Sequence, residues 1–429
     1  MSTGRTDSTT DTTGTGSTTG TAVVTGIGVV APNGLGTEEY WAATLRGESG
    51  IRRLTRFDPA QYPSRLAGEV LGFDPSAHLP DRLLPQTDHM TRLALTAADL
   101  AVLDAGAGPE ELHTLGAGVV TASASGGFEF GQRELENLWS KGNEYVSAYQ
   151  SFAWFYAVNT GQISIRNGMR GPSGVIVADQ AGGLDAVAHA RRQLRGGASL
   201  MVTGGVDSSL CPWGWTAQIA TGLLSTSDDP ARAYTPFADT ANGYVAGEGG
   251  AILVLETEEA ALARGARPYG SVAGHAATFD PPPGSSRGPA LRAAILGALA
   301  DADCPPGDVD VVYADAAGLP DKDAAEAAAL REVFGPHGVP VTAPKSMTGR
   351  LYSGGGPLDL ATALLGFRDG VIPPTANVTL PDPAHRIDLV TGEPRAVATR
   401  TALVLARGHG GFNSAMVLRA PAAPRTPSP

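Results

Sequence analysis

The segment Gly174–Gly197, GVIVADQAGGLDAVAHARRQLRGG, constrains the fold more than any other stretch of the chain. A short β-branched run passes through Asp179–Gln180 into an Ala-rich amphipathic pattern that starts near Ala181, so the backbone must turn sharply from strand to helix. Such an elbow lifts one residue above a sheet at a helix N-terminus, where free N–H groups lower a thiol's pKa and stabilise an oxyanion. The residue lifted is Gln180. An amide has no nucleophilic lone pair at neutral pH and carries no acyl group, so this elbow does not support covalent catalysis.

The same alternation of strand and helix runs along the chain and predicts a layered α/β architecture. Strands are expected at Gly118–Thr121, Gly174–Ala178, Leu200–Thr203, Ala251–Leu255, Val309–Tyr313 and Thr401–Ala406. Helices are expected at Met90–Asp104, Gly182–Leu194, Ala290–Ala302, Ala324–Phe334 and Pro357–Asp369. A strand at Tyr269–His275 opens a second round of the pattern, which places a division near Arg264–Tyr269 and hints at duplication, with one half over 21–265 and another over 266–420. In TAVVTGIGVVAPNG, from Thr21, the β-branched run is broken by Gly26, Gly28 and Asn33-Gly34 and reads as a strand entering a glycine-rich turn. Residues 1–20 are almost wholly Ser, Thr, Gly and Asp and are expected to be a disordered tail; residues 421–429 are linker-like as well.

Composition removes several function classes. Hydrophobic residues make up 42% and charged residues 17%, the profile of a folded globular chain. A formal charge of -12 repels phosphate backbones, which argues against nucleic acid as a partner. No apolar run approaches the roughly 18 residues of a membrane helix, and the start lacks signal-peptide character, so no membrane association and a cytoplasmic location are expected. Cys211 and Cys304 are the only cysteines, too few for a disulfide framework. Cys211 precedes Pro212 in a stretch read as leading into no helix, so it is expected to be a core thiol. His275, His337, His385 and His409 lie in stretches read as loops or strand ends, without metal-ligand spacing. The segments Gly26–Gly36, Gly247–Gly250, Gly354–Gly356 and Gly408–Gly411 do not match a dinucleotide fingerprint and are read as sites of close backbone approach.

With VADQAGGLDA in place, and VTGIGVVAPNG, QSFAWFYAVNTGQ, GGVDSSLCPWGW, PFADTANGYVAGEGGAILVLE, PKSMTGRLYSGGGPLD and RGHGGFNSAMVL following in order, the chain resembles the β-ketoacyl synthases. Within them it resembles most the chain length factors, the ketosynthase β subunits of bacterial type II aromatic polyketide synthases. The resemblance covers Thr21–Ala420 and implies a thiolase fold, a duplicated five-layered αβαβα arrangement. It also implies that Gln180 replaces the nucleophilic Cys. Asp315, in Tyr313–Gly318, and Arg350, in Lys345–Arg350, stand where two catalytic His belong. A guanidinium does not cycle protons near neutral pH. Arg350 could grip a phosphate or carboxylate; a salt bridge to Asp315 is the simpler expectation. Lys345, Asp323 and Glu326 are read as retained structural ion pairing, and Gln180 as a buried amide hydrogen-bonded to neighbouring backbone.

What the resemblance implies about function is a non-catalytic subunit of an acyltransferase complex. Such a subunit pairs as a heterodimer with a ketosynthase α subunit, and acyl carrier protein delivers malonyl units on its phosphopantetheine, with no cofactor bound to this chain directly. The polyketone grows in a tunnel at the interface, in an antibiotic-type pathway. Phe128, Gly131 and Leu135 recur at i, i+3, i+7 and share one helical face. The resemblance places them at the tunnel gate, where small side chains predict a decaketide or longer; ordinary helix packing would satisfy the same spacing. Phe152, Trp154, Phe155, Tyr156 and Asn159 are interface candidates on the same grounds, although a monomer core would bury them equally well. The alternative function is decarboxylation of malonyl carrier protein through Gln180 to supply the acetyl starter.

Overall fold

The computed structural model describes residues 20–282 and 284–422; residues 1–19 and 423–429, which hold nearly all of both expected tails, lie outside the described residues. The first half of the chain runs β1 (Ala22–Ala31), α1 (His89–Ala105), β2 (Ala117–Ala122), α2 (Phe128–Lys141), β3 (Ser173–Ile176), α3 (Gly182–Arg195), β4 (Leu200–Asp207), α4 (Pro212–Ala220) and β5 (Gly249–Thr257). The second half runs β6 (Gly270–Phe279), α5 (Leu291–Asp301), β7 (Val311–Tyr313), α6 (Pro320–Phe334), β8 (Pro340–Thr342), α7 (Gly355–Asp369), β9 (Asp388–Leu389), β10 (Thr401–Arg407) and β11 (Phe412–Arg419). Every strand and helix expected from the sequence is present, with ends shifted by a few residues.

Strand order in the first half is β3-β2-β4-β5-β1, and β8-β7-β10-β11-β6 repeats it in the second, with β9 added at the edge. The two sheets meet where β1 pairs with β6 through Val23↔Ser271 and Val24↔Gly270. Alternation along the strands divides the core into layers. On β5, Ala251, Leu253 and Leu255 face a central cluster, whereas Ile252 and Val254 face α1 and its neighbours. On β10, Ala402, Val404 and Ala406 face the same central cluster, and Leu403 and Leu405 face the outer one around α5 and α6. Helices α3 and α7 fill the middle and touch strands of both halves; α7 is buried on nearly every side from Gly355 to Gly366, whereas α3 keeps a polar face with Arg192 and Arg195. This is the duplicated αβαβα arrangement.

Gly26 and Gly28 lie inside β1 and not in a turn, a correction to the reading of that segment. A Cβ on Gly28 would stand 1.9 Å from the Ala97 carbonyl oxygen, and one on Gly26 would stand 2.2 Å from that of Ala101. The two glycines let α1 lie directly on the strand. The segment Arg264–Tyr269 connects the short helix Glu258–Ala263 to β6.

Candidate functional site

The elbow forms as the local sequence dictates. After β3 the chain bends at Asp179, whose φ of 50° lies in the left-handed region, makes one 3-10 turn over Asp179–Ala181, and enters α3 at Gly182. The strained residue is held by the Asp179 carboxylate, which accepts a hydrogen bond from His409 N at 2.6 Å. Gln180 is buried and faces a cavity of about 80 Å³ lined also by Tyr244, Asp315, Lys322, Arg350, His409 and Asn413. That volume is far below the ~300 Å³ at the small end of typical ligand pockets. The hydrogen bonds to neighbouring backbone expected of Gln180 are absent among the described residues. Within the turn, Gly182 N donates to Ala178 O. The side chain extends toward α7 instead, with Oε1 3.2 Å from where a Cβ of Gly355 would be.

Behind Gln180 the two residues at the expected His positions neutralise each other. Arg350 Nη2 lies 2.8 Å from Asp315 Oδ1, Nη1 donates to the Asp315 carbonyl at 2.8 Å, and both residues are buried. Burial pushes the Asp315 carboxyl up, but Arg350, Lys345 and Arg407 together outweigh it and hold the group below the ordinary carboxylate range. Burial disfavours the charged guanidinium as well, and Asp315 overrides it, so Arg350 stays protonated. The pocket therefore offers an amide, an ionised acceptor and a fixed cation. Neither the elbow position nor the two expected His positions carries a nucleophile or an imidazole; Lys322 and His409 also line the pocket.

The expected structural ion pairing holds for Lys345 and for Glu326, which lies 4.0 Å from Arg407 Nη1, and needs correction for Asp323, which has no ion pair among the described residues. Lys345 pairs with Asp359 at 2.7 Å and donates to the Ala314 carbonyl. Asp323 instead accepts from Phe237 N and Gly318 N, and Glu326 from Asp315 N and Ala316 N, so these carboxylates clamp the backbone of the loop that carries Asp315. Burial pushes the Asp323 carboxyl up to about 6 and, with repulsion from Asp315, that of Glu326 up to about 7. His275 lies inside β6 and not at its end, because the strand runs on to Phe279, and its Nε2 is 3.1 Å from both Asp185 Oδ1 and Ser414 Oγ. Among the described residues no cluster of three His, Cys, Asp or Glu is placed to hold a metal ion.

The three gate candidates lie on α2. The Phe128 ring meets Trp213 edge-on at 4.9 Å, and a Cβ on Gly131 would stand 3.1 Å from Trp213 Cζ3. Leu135 and Trp139 continue the row and, with Trp213 and the polar Gln132, Glu136 and Ser140, line a shallow hollow open to solvent. Trp213 N donates to Gln132 Oε1 at 2.8 Å, tying the two helices together. Sequence reasoning missed Trp213 because it also missed α4. Cys211, expected to lead into no helix, is the residue before that helix, with Pro212 in the first helical position that suits proline. The thiol remains a core group: burial pushes its pKa up to about 11.

Next to α2, Phe152, Trp154, Phe155 and Tyr156 are all exposed, from 36% to 49%. Asn159 does not join them. It is buried, and its Nδ2 donates to the Val206 carbonyl at 3.1 Å inside the chain's own core, which removes it from the interface candidates. Trp139 is 82% exposed, and β3 lies at the edge of its sheet, paired on one side only. No helix among the described residues is long and apolar enough to cross a membrane.

Comparison with known proteins places this geometry. The family model for the N-terminal domain of β-ketoacyl synthases matches residues 21–261, and that for the C-terminal domain matches residues 269–379. The tetracenomycin polyketide synthase ketoacyl synthase beta subunit of Streptomyces glaucescens is 62% identical over 391 residues, covering 91% of this chain and 96% of that protein. The structure of the ishigamide ketosynthase/chain length factor is similar at a TM-score of 0.85 and 28% identity, covering 94% of this chain and 100% of that one. A type II polyketide synthase acyl-carrier protein in complex with its ketosynthase gives a TM-score of 0.84 at 27% identity, covering 94% of this chain and 100% of that one. The chain belongs to the β-ketoacyl synthase family, on the branch of the polyketide ketosynthase β subunits.

Proposed function

We propose that this chain is a chain length factor: it pairs with a ketosynthase α subunit, makes no bonds itself, and closes the far end of a polyketide tunnel with α2. The observation that carries the reading is the set of exposed apolar side chains on and beside α2: Leu135, Trp139 and Trp213 around one hollow, and Trp154, Phe155 and Tyr156 in ring contact, with Trp154 and Trp213 both next to Gly131. Monomeric proteins rarely leave such a group in water, and exposed aromatics of this kind anchor protein interfaces. An elbow that presents an amide, with an ion pair where two imidazoles are expected, supports the same division of labour, in which a partner's Cys carries the growing thioester. The names of the relatives, a polyketide ketoacyl synthase beta subunit and a ketosynthase/chain length factor, agree with it.

Gly131 and Leu135 leave the gate small, which gives the product a predicted length of ten ketide units or more. Acyl carrier protein supplies malonyl units on phosphopantetheine to the partner's site, and neither is held by this chain's pocket. The test is reconstitution with the cognate ketosynthase and carrier protein and the mass of the polyketide released. A Gly131→Thr subunit, whose side chain must displace Trp213, is expected to shorten that product. An unchanged mass at undiminished yield would leave the chain a structural partner only.

A further inference from the structure

α2 starts without a capping side chain of its own. The residue before it is Gly127, and a Cβ there would stand 2.2 Å from the Ala153 carbonyl oxygen, so no Ser, Thr, Asp or Asn fits the usual position. The cap comes from another helix. Asp88, the N-cap of α1, is buried; its Oδ1 accepts from Met90 N at 2.7 Å and its Oδ2 from Phe130 N at 2.7 Å. One carboxylate thus satisfies first-turn amides of two helices. Phe130 lies between Phe128 and Gly131, and its ring is fully buried. The bond therefore fixes the depth and rotation of the turn that carries two of the three gate residues. Glu129, in the same turn, pairs with Arg56.

We infer that Asp88 is a positioning residue for the gate, setting through its shared cap where Phe128 and Gly131 meet the end of the polyketide. This inference rests on the chain-length reading of α2. Replacement chemistry is restrictive: an Asn at this position has one oxygen for two amides and turns an N–H toward the second, and a Ser has a single Oγ.

Asp88→Ser separates the two caps, because Ser still caps α1 from the N-cap position and no longer reaches Phe130. The experiment measures polyketide masses from the complex with its cognate ketosynthase and carrier protein, with Leu135→Phe run alongside. The expected result is a spread of lengths, with the ratio of off-length to main product rising roughly ten-fold, the scale on which an apolar site discriminates one methylene. A native mass distribution from Asp88→Ser while Leu135→Phe shortens the product overturns the positioning role and leaves the gate standing. No change in either variant overturns both. If the Asp88→Ser subunit does not assemble, amide exchange in the native complex decides. Phe130 N–H is expected to exchange as slowly as the interior of α1, and exchange as fast as that of an uncapped first-turn amide overturns the role.

Discussion

Arg350 and Asp315 face each other at 2.8 Å in the interior, and the same guanidinium also donates to the carbonyls of Asp315 and Arg407. Arg407 N in turn donates to Asp315 Oδ1 at 2.8 Å. A site where the family resemblance expects two imidazoles has become an ion pair that joins three loops around the elbow pocket.

Removing one member of such a pair strands the other without water. Arg350→Ala is expected to destabilise the protein by about 3–5 kcal/mol. The double variant Asp315→Ala/Arg350→Ala should cost less than the sum of the two single variants, because no bare charge remains. Denaturant unfolding of the four proteins gives the cycle, and strict additivity would refute the coupling.

The carboxylates behind the pair contribute to the pH dependence, together with Asp88, which burial also pushes up to about 6. Glu326 and Asp323 have folded-state pKa values raised to about 7 and about 6, so the stability they contribute is full below their ordinary values and lost as pH rises through those folded values. Asp315 is shifted down, and its contribution is lost only in acid below the ordinary carboxylate range. The denaturation midpoint should therefore rise as pH falls from about 8 to about 5, and Glu326→Gln should flatten that rise. A midpoint that falls over this interval in native protein, or an unchanged slope in Glu326→Gln, would contradict the assignment.

Much of this was legible because it is local. The elbow at Gln180 and the helical face of Phe128, Gly131 and Leu135 follow from short windows of sequence, and the missing imidazoles from the family resemblance that such windows carry. What the windows missed is tertiary. Trp213 reaches Gly131 only because α4 folds back onto α2, and its helix start, Pro212 after Cys211, lies in a stretch that the sequence reads as leading into no helix. Asn159 stands with the four aromatics on the resemblance, whereas the helix turn after Tyr156 directs it inward to Val206. Lys345 has its partner, Asp359, on α7, and Asp323 and Glu326 hold backbone amides that no residue pattern announces.

The exposed aromatic face should carry partner binding. Phe155→Asp is expected to weaken association with the ketosynthase by roughly 30-fold or more, the effect of losing an interface anchor. Because Phe155 is already 49% exposed, the circular dichroism of the subunit should not change. Undiminished co-purification and affinity would move the interface elsewhere.

Gln180 should prove dispensable for chemistry. Gln180→Ala removes the amide from the cavity while leaving Arg350 paired, and malonyl decarboxylation and starter supply by the complex are expected to be unchanged. A loss of acetyl priming, restored by added acetyl carrier protein, would instead establish the decarboxylase function.

The most direct test is the mass of polyketide made with the cognate ketosynthase and carrier protein by native subunit and by Leu135→Phe. Leu135 borders the hollow with Trp139 and Trp213, so a phenyl ring there takes up depth at the end of the row. The account predicts ten or more ketide units from the native subunit and a shorter chain from the variant at comparable yield. The same mass from both, at equal yield, would contradict it.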